Sequence, residues 1–229
     1  MDAQDVLKQL RAQGNPNAVA GMNRFGIQGK EIYGISMPAL RKIAKEIGKD
    51  HQLAANLWAS GVHEARILAT LVDMPRSVTE AQMEQWVKDF DSWDVCDQCC
   101  MNLFRKTPFA QAKVAEWSGR EEEFVKRAGF ALIATLAVHD KKADDTQFEQ
   151  WLPLIKRQAT DERNFVKKAV NWALRQIGKR NLVLNAAAIQ AATEIEAIDS
   201  KIARWIAKDA LRELTGEKVQ QRLKEKAQK

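Results

Sequence analysis

The chain has 229 residues, enough to bury a sizeable core; 45% are hydrophobic, 29% are charged, and 36 Lys plus Arg against 30 Asp plus Glu leave a net charge of +6. No apolar run approaches the roughly 18 residues of a membrane span, and no basic flank leads into an apolar core at the N-terminus, so neither membrane insertion nor export is expected. The surplus of positive charge suits a polyanionic partner, and equally a solubility device.

Taken in chain order, the segments between turn signals have helical rather than strand periodicity. The first is "MPALRKIAKEIG", where Leu40, Ile43, Ala44 and Ile47 follow a pattern of threes and fours between Pro38 and Gly48. "HEARILATLVD" follows, then Gln82 to Phe90, Asp94 to Phe104, Phe109 to Trp117, Glu121 to Val138, Phe148 to Thr160, Glu162 to Ile177, Asn185 to Ile195 and Ser200 to Leu214. The tail "GEKVQQRLKEKAQK" reads as a frayed or solvated last helix. No run is convincingly β.

The chain also resembles itself. "EFVKRAGFALIATLA" from Glu123 and "NFVKKAVNWALRQIG" from Asn164 share Phe-Val-Lys, a basic residue and Ala. "DALRELT" from Asp209 echoes "NWALRQI" through Ala-Leu-Arg. Intervals of about 40 residues are the length of a HEAT-like repeat, in which a helix pair buries its apolar face only by stacking on its neighbours. The expected fold is all-α: an α-α superhelix of HEAT-like repeats, forming a single domain over 1–229 with its last dozen residues frayed.

Four residues are candidates for a working surface on such a stack. Trp93 and Asp97 in "DSWDVCD" lie one above the other if the segment is helical. Arg127 falls in "VKRA" and Trp172 in "VNWALR". Each has a plainer reading: Asp97 as a solvated or salt-bridged carboxylate, the indoles as inter-helix packing, Arg127 as the partner of a neighbouring carboxylate. Trp58, Trp86 and Trp117 carry no partner pattern and are assigned to packing. Basic residues gather in the same repeats: Arg105, Lys106, Lys126, Lys167, Lys168, Arg175, Lys179 and Arg180. Cations interleaved with aromatics suit a nucleic-acid backbone, although charges at helix ends also serve as caps.

Other chemistries lack support. The three cysteines, Cys96, Cys99 and Cys100, crowd into one helix, which is no disulfide framework and points to a reducing, cytoplasmic location. Cys96 and Cys99 have C-x-x-C spacing without a second pair or a local histidine to complete a zinc site, so they are read as helix packing. His51, His63 and His139 are scattered, and no phosphate-binding or hydrolase motif is present.

From "YGISMPALRKIAKEIG" through "DSWDVCD" and "FVKRA" to "FVKKAVNWALRQIGKRN", the chain resembles the DNA alkylation repair family of HEAT-like DNA glycosylases. The resemblance implies duplex DNA as partner and excision of cationic N3- or N7-alkylpurines, of the 3-methyladenine and 7-methylguanine type, without a cofactor or an obligate protein partner. It places Asp97, Trp93, Trp172 and Arg127 in the catalytic set. In "VAGMNRFGI", Gly21 stands near a position where the family often presents an aromatic side chain to DNA. The alternatives are a noncatalytic scaffold for bent or branched DNA and a protein-binding helical-repeat module.

Overall fold

The computed structural model describes residues 1–27 and 29–228, and the chain divides into two compact units, Met1–Ala110 and Gln111–Lys229. Among the described residues the only sheet-like feature is an isolated bridge between Glu31 and Val62.

The first unit contains α1 (Ala3–Ala12), α2 (Pro16–Arg24), α3 (Met37–Ile47), α4 (His51–Ala59), α5 (His63–Val72), α6 (Glu80–Lys88) and α7 (Trp93–Asn102), followed by a 3₁₀ turn at Phe104–Lys106. Short polar side chains start several of these helices by accepting otherwise orphaned backbone N–H groups. Asp2 and Asp5 form a capping box on α1, Asn15 accepts from Asn17 and Ala18 ahead of α2, and Asp50 accepts from Leu53 at 2.9 Å. Helix α5 is the centre of the unit and packs on α3, α4 and α7. Beside it, Trp58 and Trp86 stack in parallel with ring centroids 4.0 Å apart, and Phe90 and Phe104 close around them. The packing role expected of these two tryptophans, and of Trp117, agrees with their near-complete burial.

The second unit is built from α8 (Ala110–Ser118), α9 (Glu123–His139), α10 (Asp145–Glu149), α11 (Leu152–Arg157), α12 (Asn164–Gly178), α13 (Leu182–Glu196), α14 (Lys201–Leu214) and α15 (Glu217–Ala227). Helix α9 is buried on all sides from Val125 to Ala137. Gly129 lets α8 approach it, because a Cβ there would lie 2.5 Å from the backbone nitrogen of Ser118. Helix α12 packs on α9, α13 and α14. The two copies of the Phe-Val-Lys echo begin at the first residues of α9 and α12, and their phenylalanines, Phe124 and Phe165, stack with centroids 5.5 Å apart. The Ala-Leu-Arg echo likewise falls on two packed helices, α12 and α14. The chain is therefore all-α and made of HEAT-like repeats.

One difference from the sequence expectation has a clear cause. The helix expected over Phe148 to Thr160 is broken into α10 and α11, because Pro153 has no N–H to continue the ladder and sits instead in the first turn of α11. The tail forms α15 and buries Leu223, while Lys229 lies outside the described residues.

Candidate nucleic-acid interface

Helix α7 divides its residues by face. Val95, Cys96, Cys99 and Cys100 are buried, whereas Trp93 and Asp97, one turn apart, are half-buried. The inward thiols agree with a packing role, and burial pushes the Cys99 thiol well above its ordinary range. Two contacts fix how α7 begins. Asp94, in the first turn, accepts from the Ser92 hydroxyl at 2.6 Å and from the Val95 N–H at 3.0 Å. It also meets His63 Nε2 of α5 at 2.9 Å. Burial works against charge on both partners, but their mutual hydrogen bond and attraction prevail, so His63 is shifted up and Asp94 down. An ionised carboxylate at this position also complements the positive helix N-terminus. Trp93 is tied from its other edge: its indole N–H donates to the Phe25 carbonyl at 3.1 Å, just past α2, and Phe25 itself is 74% exposed.

Arg127 and Trp172 lie in the second unit. Arg127, on α9, is only 6% exposed and donates to the Phe165 carbonyl of α12 at 2.6 Å. Its guanidinium therefore spans two repeats. Trp172, half-buried on α12, follows Asn171, whose buried amide donates to the Ile206 carbonyl of α14 at 3.1 Å. The described structure thus pairs Trp93 with Asp97 on one helix and places Arg127 and Trp172 on packed neighbours.

The eight cations expected to meet DNA fall into two groups. Four serve internal contacts. Lys126 is buried and reaches Gln158 and Asp161; Arg180 donates to the carbonyls of Ala137 and Ala143 and lies 4.1 Å from the Phe148 ring centroid. Arg175 and Lys179 share Glu213 of α14, at 2.6 and 2.7 Å. Burial raises the Glu213 pKa, but the two cations outweigh it and hold the carboxyl below its ordinary value. The other four are nearer solvent. Lys106 and Lys168 are exposed, Arg105 is half-buried with its Nε donating to the Met101 carbonyl, and Lys167 stands 6.0 Å from the centroid of the Trp205 ring.

The sequence profile of the family described as "DNA alkylation repair enzyme" matches residues 6–214. The chain belongs to this family. The chain is 24% identical over 191 residues to the uncharacterized protein Lin0241 of Listeria innocua, covering 82% of this chain and 83% of that protein. It is 24% identical to the uncharacterized protein Lmo0209 of Listeria monocytogenes over 130 residues, which are 55% of this chain and 58% of that protein. A solved structure described as representing a new family of proteins related to the HEAT-like repeat DNA glycosylases, with affinity for branched DNA structures, superposes with a TM-score of 0.78. That match covers 93% of this chain and 95% of the other at 20% identity, a likeness of fold.

For this member of the DNA alkylation repair family, two exposed aromatics lay outside the sequence-based candidates: Phe25, and Trp205 on α14 at 43% exposure. Phe25 carries no periodic signal, since it sits at a helix end. Trp205 does carry one, in the spacing of the basic residues around it.

Proposed function

We propose that the protein is a DNA glycosylase that releases positively charged N3- or N7-alkylated purines from duplex DNA. The observation that carries this reading is the placement of Trp93 and Asp97 one turn apart on the half-buried side of α7, within a chain of the DNA alkylation repair family.

The chemistry gives those residues their tasks. An alkylated purine is already cationic, so when its N-glycosidic bond breaks, the bonding pair moves to the base and the base departs neutral. Positive charge then grows on the deoxyribose. The Asp97 carboxylate stabilises this oxocarbenium character and accepts the proton of the water that adds to C1′. The face of Trp93 favours a cationic sugar through CH–π and cation–π contact, and the family resemblance gives Trp172 an aromatic contact to the duplex. Lys106 and Lys168 neutralise phosphates. Arg127 acts from within the repeat stack, holding α12 through Phe165.

The test is single-turnover excision of 7-methylguanine from a duplex bearing one such base. Wild type should release the base, and Asp97→Asn should lose at least about 100-fold of that rate with an unchanged circular dichroism spectrum. Equal rates for the two proteins would remove Asp97 from the mechanism. A second reading, DNA binding without excision, is favoured by the burial of Arg127 and its use on a backbone carbonyl. Tight binding of the same duplex with no released base would select it.

A further inference from the structure

We propose that α14 carries a second DNA-backbone contact surface, formed by Lys201, Trp205 and Lys208 and joined by Lys167 and Lys168 of α12. The inference rests on the DNA-binding part of the reading above.

Its first support is a repeated spacing. On α12, Lys168, Trp172, Arg175 and Lys179 follow one another at intervals of four, three and four. Lys201, Trp205, Lys208 and Arg212 do the same on α14. Intervals of four, three and four keep side chains on one helical stripe, so each helix presents a tryptophan flanked by cations. The two helices pack directly on each other.

The second support is the state of the two copies. On α12 the lower half of the stripe is consumed internally, since Arg175 and Lys179 are bound by Glu213. On α14 all four positions are exposed, and Trp205 is the most exposed of the tryptophans. Arg212 is paired with Asp209, but Lys201 and Lys208 have no ion pair among the described residues. The acidic groups near the stripe are already neutralised: Asp209 by Arg212 and Arg175, Glu213 by Arg175 and Lys179, and Asp199 by Arg204. What faces solvent is an indole with ammonium groups before and after it, and a third ammonium, Lys167, 6.0 Å from its centroid.

That arrangement fits the sugar-phosphate backbone of duplex DNA. Lysines one helical turn either side of a flat apolar ring neutralise phosphates while the ring covers a deoxyribose. An acidic protein would find the same cations, but a lone exposed indole offers it little of the apolar core that protein interfaces bury.

The test measures affinity for an undamaged duplex by fluorescence anisotropy across a salt series. Each phosphate contact contributes about 0.9 to the slope of log K against log salt. Lys201→Ala with Lys208→Ala should lower the slope by roughly 2, whereas Trp205→Ala should weaken binding about tenfold and leave the slope unchanged. Both variants should retain the wild-type urea midpoint, because the residues are exposed. The proposal is overturned if both variants bind with wild-type affinity and slope while Lys106→Ala weakens binding; the DNA reading then survives without α14. Absence of salt-dependent duplex binding in wild type overturns both.

Discussion

Glu64 is the residue whose loss should be felt most directly in the first unit. It is 1% exposed on α5, and its carboxylate accepts three backbone N–H groups from the segment that leads into α3. Oε1 takes Gly34 at 2.6 Å and Ile35 at 3.2 Å, and Oε2 takes Tyr33 at 2.9 Å. The segment packs closely at Gly34, which has φ of +76° and where a Cβ would lie 2.5 Å from the Asn15 carbonyl oxygen. In Glu64→Ala the buried Gly34 donor is left unmet, at a cost of about 2 kcal/mol. Tyr33 and Ile35 are half-buried and regain water, so each costs about 1 kcal/mol, while removing the carboxylate relieves its own desolvation. The expected net loss is about 3 kcal/mol. Glu64→Gln, with its carbonyl oxygen in the Oε1 place, keeps two of the three bonds and should lose roughly 1 kcal/mol. Urea unfolding at constant m-value reads both. A loss below about 1 kcal/mol for Ala, or Gln as damaging as Ala, would refute the reasoning.

The His63–Asp94 pair makes stability depend on pH with a definite sign. His63 is shifted up, so its contribution is complete below the unfolded histidine value of about 6.5 and is lost as pH rises through the folded value; Asp94 is shifted down, so its share is lost only in strong acid. The difference in urea midpoint between wild type and His63→Gln should therefore be largest near about pH 5.5 and shrink toward about pH 8.5, and a pH-independent difference would contradict the pairing. Gly129→Ala should cost roughly 3 kcal/mol, because the new methyl meets the backbone of Ser118 rather than a yielding side chain; a wild-type melting temperature would show that α8 moves freely. At Gly21 a Cβ meets nothing within 4 Å, so Gly21→Tyr should fold normally and tighten duplex binding severalfold, measured by anisotropy; weaker binding would remove α2 from the DNA surface.

The sequence was most legible where helices are long. α9 and α12 appear within a few residues of their expected limits because both the apolar period and the Phe-Val-Lys echo mark them. Helices α1, α2 and α4 went unread, although Asp2, Asn15 before Pro16, and Asp50 supply their start signals; α1 buries only Val6 and Leu10 and α2 buries no residue, so little apolar period marks those two. For the candidate site, spacing alone placed Trp93 and Asp97 on one face of α7. The fate of the basic residues was not legible. Whether Arg175 meets DNA or Glu213 depends on a carboxylate far along the chain, and only the packing of α12 on α14 brings the two together. The same blindness hid Trp205, whose exposure is a tertiary property.

The inward face of α7 has a chemical consequence of its own. Electrophiles that methylate nucleobases also attack sulfur, and they do so through the thiolate. This chain's three cysteines are all fully buried, and the middle one is held firmly in its protonated form. A molecule whose proposed work brings it to alkylated DNA thus keeps its softest nucleophiles out of reach of the reagents that cause the damage.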